Sequence, residues 1–178
     1  MPKTPSASSA QLIRWMGITD ANAAGNVHGG TIMRLADEAA ALSAIKHARG
    51  RVVTVGMDRM NFMVPIYVGD LVTLSATVNA AWKTSMEVGV RVEAENPRTG
   101  ERHRTNTADI TMVALDEDGK PAPVPPLIAE THTEKRRMRE AALRRANRLA
   151  ERAQIRAGRD HDAELDSRHA ESAGHSEP

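Results

Sequence analysis

The chain has 178 residues, no cysteine and only 2% aromatic residues. This length corresponds to one domain with an appendage, and such a domain can bury a working core without disulfides or a structural metal. The lack of cysteine excludes thiol nucleophiles, cysteine-ligated zinc and disulfide scaffolds. The scarcity of aromatic side chains argues against a surface on which nucleic acid bases stack.

The formal net charge of +1 conceals three zones of different charge. Residues 1–133 carry a net charge of −1, residues 134–160 of +6, and residues 161–178 of −4. Local charge attracts an anionic partner more than the net charge does, so the basic zone is a candidate anion-binding segment. No apolar run approaches the roughly 18 residues that a membrane span needs, and we expect no membrane span. The first ten residues lack the pattern of a secretory signal.

The first predicted elements are a strand, a loop and a helix. We expect residues 1–10 to be flexible, and residues 11–19 are compatible with an edge strand. Residues 20–30 are dense in Asn, Gly and Asp, which is typical of a structured loop. From Gly30 to Ala48 apolar residues recur at three- and four-residue spacing, which predicts a helix. Because this helix is rich in alanine, we expect it to be buried and wrapped by a sheet.

After Gly50 the hydrophobic period changes to two. Apolar and polar residues alternate along much of this region, which predicts half-buried strands of an antiparallel sheet with one wet face. Short, turn-rich connections support this interpretation. The predicted fold class is therefore α+β, with a sheet that covers one helix. The four predicted strands after the helix are 51–63, 71–79, 84–95 and 103–115.

The last part of the chain differs in composition from the body. A proline-rich stretch at 121–126 predicts an extended linker. Residues 131–157 predict a basic surface helix, and residues 158–178, which show no periodicity, predict a disordered acidic tail. Between the flexible start and this helix, residues 11–130 form the predicted main domain.

The loop and the start of the helix carry a recognisable pattern. The segment 20–38, DANAAGNVHGGTIMRLADE, is similar to the signature of acyl-CoA thioesterases with the hotdog fold, above all the long-chain and broad-range acyl-CoA hydrolases. The resemblance covers about residues 11–128. It implies an antiparallel sheet around one helix, a dimer with active sites between the protomers, and often a trimer of such dimers. Further motifs follow in the same order: Val53-Thr54, Asn61-Phe62, Pro65, Gly69-Asp70, Thr84 to Val88 and Val113 to Asp116.

Asp37 is the leading candidate for the reacting group. A carboxylate two turns inside a small, apolar helix is costly unless it has partners or a function. The alternative is an ordinary surface acid that pairs with Arg34. The resemblance places the family's catalytic acid at Asp37, where it acts as general base on water or attacks the thioester directly. Both routes remain open at this level.

Two further positions of the candidate site precede the helix. Asn22 matches the second catalytic position of the family, where its amide orients water or holds a carbonyl; the alternative is a turn residue. Gly29 and Gly30 offer helix-start N–H groups to a developing oxyanion, and the alternative is a flexible turn. The resemblance implies that Asp37 of one protomer meets Asn22 of the other.

Coenzyme A carries phosphates, so the candidate site needs cations outside the acyl pocket. Arg51, Lys83, Arg144 and Arg145 are the candidates, although the last two also fit a solvated helix face. The resemblance implies that two strand segments line the pantetheine and nucleotide path. These segments are Val55-Gly56-Met57 and Thr84-Ser85-Met86.

The two histidines of the matched segment, His28 and His47, are expected to make local hydrogen bonds, and no residue spacing predicts a metal site. The leading hypothesis is a cytoplasmic acyl-CoA hydrolase without a cofactor, in which coenzyme A belongs to substrate and product. The alternatives are a non-catalytic acyl-CoA-binding protein, an enoyl-CoA hydratase-like enzyme and a nucleic-acid-binding module that uses the basic helix. The scarcity of aromatic residues leads us to expect no nucleic acid partner.

Overall fold

A computed structural model of the chain describes residues 1–58 and 60–173, and it describes residues 161–173 by their backbone alone. The chain divides into two compact units, residues 1–138 and 139–178. Among the described residues, no helix is both long and apolar enough to cross a membrane.

The first unit contains one five-stranded sheet. Its strands are β1 Ala10–Trp15, β2 Arg51–Met57, β3 Leu71–Ala81, β4 Ser85–Glu95 and β5 Arg102–Leu115. Every neighbouring pair of strands is antiparallel, and the strand order is β1-β3-β4-β5-β2, which places β1 and β2 at opposite edges of the sheet. The predicted number of strands is confirmed, but β1 and β2 end earlier than the predicted ranges 11–19 and 51–63.

The helix α1, Gly29–Ala48, contacts all five strands. The sheet thus wraps around it, as the small side chains predict. Four alanines on its buried face are completely inaccessible to solvent, and their small volume lets the strands approach the helix axis closely. The buried side chains of α1 are Ile32, Leu35, Ala36, Ala39, Ala40, Ser43, Ala44 and His47.

The start of the chain, predicted to be flexible, is part of the fold. The Lys3 ammonium donates hydrogen bonds to the carbonyl oxygens of Lys46 and His47 at the end of α1. The Lys3 backbone also bonds to residues 126 and 128. A cation satisfies the last carbonyls of a helix and interacts favourably with its dipole, which explains the ordered start.

The second helix, α2 His132–Ala173, begins as predicted but continues past residue 157. Its start is a capping box, in which the Glu134 carboxylate accepts from the Thr131 N–H at 2.9 Å and the Thr131 hydroxyl accepts from the Glu134 N–H at 3.2 Å. The N–H groups of Thr131 and Glu130 lower the pKa of Glu134. The prediction of a disordered tail from 158 is wrong up to Ala173, and residues 174–178 lie outside the described part.

The face of the sheet turned away from α1 is less wet than predicted. The side chain of Glu87, which lies between the core residues Met86 and Val88 on β4 and belongs to the face predicted to be wet, is completely buried. The Asn79 amide donates to Glu87 Oε1 at 3.3 Å and to Asp109 Oδ1 at 3.0 Å. Asn79 lies where the register of β3 against β4 shifts, between Val78 and Ala80. A buried polar cluster therefore ties β3, β4 and β5 together on that face.

Candidate active site

The carboxylate of Asp37 lies at the border between the buried and the exposed faces of α1. Its neighbour Ala36 is completely buried, Glu38 is exposed, and Asp37 itself is half-buried. Oδ1 of Asp37 accepts a 2.6 Å hydrogen bond from the Thr54 hydroxyl. Arg34, the expected partner in the ordinary-surface alternative, instead pairs with Glu38. The surroundings of Asp37 therefore differ from those of a surface acid in an ion pair.

Thr54 is the functional candidate that the sequence reasoning did not single out. It lies on the edge strand β2, opposite Met112 of β5, and its hydroxyl is also 3.3 Å from the Met112 sulfur. Only two residues separate α1 from β2, so β2 has to run back along the helix. That short link, together with a hydroxyl in the matched Val53-Thr54 motif, is the signal that could have identified this residue.

Asn22 has the loop-closing contacts of the turn alternative, and they leave one end of its amide without a partner among the described residues. Its Oδ1 accepts from the backbone N–H groups of Ala24 at 2.9 Å and Asn26 at 3.2 Å, which closes the loop before α1. This arrangement fixes which end of the amide is oxygen. The Nδ2 group donates to nothing among the described residues, so Asn22 can only offer hydrogen-bond donors to a ligand.

The start of α1 has one available donor rather than two. The Gly30 N–H donates to Nδ1 of His28 at 3.0 Å, and the N–H groups of Thr31 and Ile32 both point to the His28 carbonyl. The expectation that Gly30 serves an oxyanion is therefore wrong in this arrangement, because its N–H is already used. The Gly29 N–H has no acceptor within the described part of the chain.

The strand residues assigned to the coenzyme A path differ in exposure. Val55 and Gly56 are exposed on β2, where the register shifts between Thr54 and Gly56, and Met57 packs at the periphery of the core. On the second segment, Thr84 and Ser85 are half-buried at the start of β4. The assignment of Met86 to this path is wrong as the chain stands, because its side chain is completely buried in the core.

The candidate cations fall into two groups. Arg51 and Lys83 are both exposed and lie near the same end of the sheet. Arg51 begins β2 opposite Leu115, the last residue of β5, and Lys83 lies two residues before the start of β4. Arg144 and Arg145 belong to the second unit, on α2. Among the described residues, no three His, Asp or Glu side chains are arranged to hold a metal ion.

Of the two histidines of the matched segment, His28 makes the expected local hydrogen bond, whereas the hydrogen bond of His47 is to Pro125, a residue distant in the chain. His28 caps α1 through its ring, whereas His47 is completely buried with Nε2 at 2.9 Å from the Pro125 carbonyl. Burial lowers the pKa of His47 and the Lys3 ammonium lowers it further, while the bond to Pro125 opposes both effects. His47 therefore favours the neutral form, and Lys3 supplies the cation at this helix end.

No hydrogen bond joins Asn22 and Asp37 within one chain, as far as the chain is described. Asp37 lies eight positions after Gly29 on α1, an axial rise of about 12 Å. The N–H donors at the start of α1 and the Asp37 carboxylate of one chain are therefore too far apart to act on one carbonyl group, unless the substrate lies along the helix or a second copy of the chain supplies one of them.

Residues 24–101 match the family model described as the thioesterase superfamily. An uncharacterized acyl-CoA thioester hydrolase of Bacillus subtilis is 41% identical over 72% of this chain and 74% of its own length. The cytosolic acyl coenzyme A thioester hydrolase of Rattus norvegicus is 38% identical over 78% of this chain. This chain spans only 37% of the length of that rat relative and of its mouse and human counterparts.

Solved structures agree with the sequence comparisons. A hexameric acyl-CoA thioesterase is 40% identical and superposes with a TM-score of 0.82, covering 85% of this chain and 97% of the other. An acyl-CoA hydrolase of Staphylococcus aureus, solved with butyryl coenzyme A, coenzyme A and coenzyme A disulfide, is 33% identical with a TM-score of 0.82, covering 92% and 99%. Alanine variants of an aspartate, an asparagine and a threonine of that enzyme have also been solved. By sequence and by fold, the chain belongs to the thioesterase superfamily, in its acyl-CoA thioester hydrolase family.

Proposed function

We propose that this protein hydrolyses acyl-CoA thioesters to a free carboxylic acid and coenzyme A. The observation that carries the proposal is the half-buried Asp37 carboxylate, which the Thr54 hydroxyl holds in one orientation beside the buried face of α1. A carboxylate fixed through Oδ1 keeps Oδ2 for a water molecule. Hydrolysis needs such a positioned base, together with donors for the developing oxyanion.

The proposed reaction begins when Asp37 removes a proton from a water molecule whose oxygen attacks the thioester carbon. The negative charge that develops on the carbonyl oxygen is stabilised by N–H donors, for which the Gly29 N–H and the Asn22 amide are available. Collapse of the tetrahedral intermediate breaks the carbon–sulfur bond, and Asp37 returns the proton to the departing sulfur. Water is the only co-substrate, so this route needs no cofactor.

The Staphylococcus aureus variants support the choice of residues. In that enzyme the substituted asparagine and aspartate are fifteen positions apart, and the aspartate and threonine are seventeen apart. Asn22, Asp37 and Thr54 have the same two separations in this chain. Chain spacing alone assigns no role. The equal separations support a correspondence between the three substituted positions of that relative and Asn22, Asp37 and Thr54 of this chain.

We further propose that two copies of the chain build each site, with Asp37 from one and Asn22 from the other. The exposed edge strand β2 and the open face of α1 support this, because both carry apolar side chains beside Asp37. Three structural relatives are hexameric, which supports an assembly of three such dimers. The exposed apolar side chains on β2 and α1 are Met33, Leu42, Ile45, Val53 and Val55.

Mammalian relatives are cytosolic, which favours a cytoplasmic location.

The proposal is tested by thiol release from acetyl-, butyryl-, hexanoyl- and palmitoyl-CoA. Asp37→Asn keeps the shape of the side chain and removes the base, and we expect kcat to fall by about 10²–10⁴. Glu38→Gln, one residue along and exposed, is the matched control and should leave kcat within about twofold. Tight binding of acyl-CoA by the wild type without any thiol release would instead identify a non-catalytic acyl-CoA-binding protein.

A further inference from the structure

Phe62 lies against the start of α1, in the segment between β2 and β3. A Cβ atom added to Gly29 would be 3.3 Å from Cζ of the Phe62 ring and 3.5 Å and 3.8 Å from its two Cε atoms. The ring thus occupies the volume that any side chain at position 29 would need. Half of the Phe62 side chain remains exposed to solvent.

The backbone on both sides of Phe62 is held by β5. The amide Nδ2 of Asn106 donates to the Asn61 carbonyl at 2.7 Å, and the Met63 N–H donates to the Thr105 carbonyl at 3.3 Å. Both β5 residues are buried, with exposed fractions of 2% and 1%. The ring is therefore positioned by the sheet, and its place beside Gly29 is set by the fold.

We propose that Phe62 determines acyl-chain specificity by contacting the first carbons of the acyl group. The inference rests on the proposed function, in which a thioester oxygen accepts from the Gly29 N–H. An oxygen bound there lies about 2.9 Å from the nitrogen, and the acyl carbons follow within two bonds. The open half of the ring, which touches the same residue, then lies within van der Waals reach of those carbons.

The gain in kcat/KM that Phe62 provides should increase with the length of the acyl chain and then stop increasing. Each methylene removed from water against the ring improves transition-state binding by about fourfold. Acetyl-CoA has no methylene in its acyl group, whereas butyryl-CoA has two. Carbons further along the chain extend beyond a single ring, so chains longer than butyryl should gain nothing more from Phe62.

The first experiment compares kcat/KM of the wild type, Phe62→Ala and Phe62→Leu on acetyl-, butyryl-, hexanoyl- and palmitoyl-CoA. We expect Phe62→Ala to lower the butyryl-to-acetyl ratio by about tenfold and Phe62→Leu to retain most of it. Met63→Ala, whose side chain is 78% exposed, is the control and should keep the ratio. An equal loss on all four substrates, or no loss, would overturn the inference while the proposed function stands. A wild type that releases no thiol would refute both.

A double-mutant cycle tests the contact itself. Gly29 does not have a positive φ angle, so alanine is tolerated there except for its approach to the ring. Gly29→Ala should lower kcat/KM for butyryl-CoA severalfold in the presence of Phe62, and by much less in the Phe62→Ala background. Thermal unfolding of each variant identifies any that is simply unfolded. Additive effects of the two substitutions would contradict a contact between ring and helix start.

Discussion

The hydroxyl of Thr54 on the edge strand β2 donates a 2.6 Å hydrogen bond to Oδ1 of Asp37 on α1. This bond joins the two elements that follow one another across a two-residue link. It restricts rotation of the carboxyl group and leaves Oδ2 to bind water. In the proposed reaction, Thr54 is accordingly a positioning residue that acts through Asp37.

The first prediction concerns this hydroxyl. Thr54→Val preserves the branched shape but removes the donor, and we expect kcat to fall about tenfold because Asp37 is no longer held in one orientation. Thr54→Ser retains the hydroxyl and should recover most of the activity. Steady-state kinetics on one acyl-CoA measures both. Equal losses in the valine and serine variants would show that shape, and not the hydrogen bond, matters at this position.

The second prediction separates the two roles of Asn22. Asn22→Asp retains an oxygen that accepts from Ala24 and Asn26, so the loop and the melting temperature should change little. It replaces the donating amide with a second oxygen, which would repel a developing oxyanion. We expect kcat to fall by about 10²–10³. Activity within threefold of the wild type would remove Asn22 from the reaction.

The third prediction concerns a site built from two copies. If Asp37 and Asn22 act across an interface, a mixed dimer of Asp37→Asn and Asn22→Asp chains contains one intact site and one doubly altered site. Coexpression of the two inactive variants in equal amounts should then restore about a quarter of the wild-type activity per chain. This fraction follows because half of the dimers are mixed and each has one working site. No recovery, with mixed dimers demonstrated by affinity tags, would place both residues in one chain.

The fourth prediction follows from the lowered pKa of His47. The unfolded chain binds a proton at His47 at a higher pH than the folded chain does. Folding stability from the neutral imidazole is thus complete above about pH 6.5 and is lost as the pH falls through the lowered folded pKa. The melting temperature should drop between pH 7 and pH 5, and less so in His47→Gln. His103→Gln, at an exposed position, is the control and should follow the wild-type curve.

The fifth prediction concerns the buried polar cluster on the other face of the sheet. A Cβ atom at Gly89 would lie 2.6 Å from Nδ2 of Asn79, the atom that bonds to both Glu87 and Asp109. Gly89→Ala should therefore lower the free energy of unfolding by roughly 1–3 kcal/mol, because it disturbs buried hydrogen bonds. Gly50→Ala, with open space around its Cβ position, is the matched control in chemical denaturation. A stability equal to that of the control would show that the cluster rearranges at no cost.

Local periodicity was sufficient to predict α1, β3, β4 and β5, whereas the patterns of β1 and β2 were weaker and both strands end earlier than predicted. The alternation of Val88, Val90 and Val92 with polar residues indicates which side of β4 enters the core. The same alternation failed for Glu87, because its side chain is buried and accepts a hydrogen bond from Asn79 of a neighbouring strand, which no pattern along β4 reports. It also failed at both ends of the chain. The contact of Lys3 with the end of α1 joins residues more than 40 positions apart, and the helix past residue 157 shows no apolar stripe.

The sequence by itself determined the elements, the α+β class, the resemblance to a family and the candidate carboxylate at Asp37, because these depend on residue type and on spacing along the chain. Only the tertiary structure decided that Thr54 holds Asp37, that Gly30 has no N–H to offer and that Met86 belongs to the core. The physical reason is the range of the interactions. Periodicity is local, whereas a hydrogen bond between a helix and an edge strand depends on how the strands wrap around the helix.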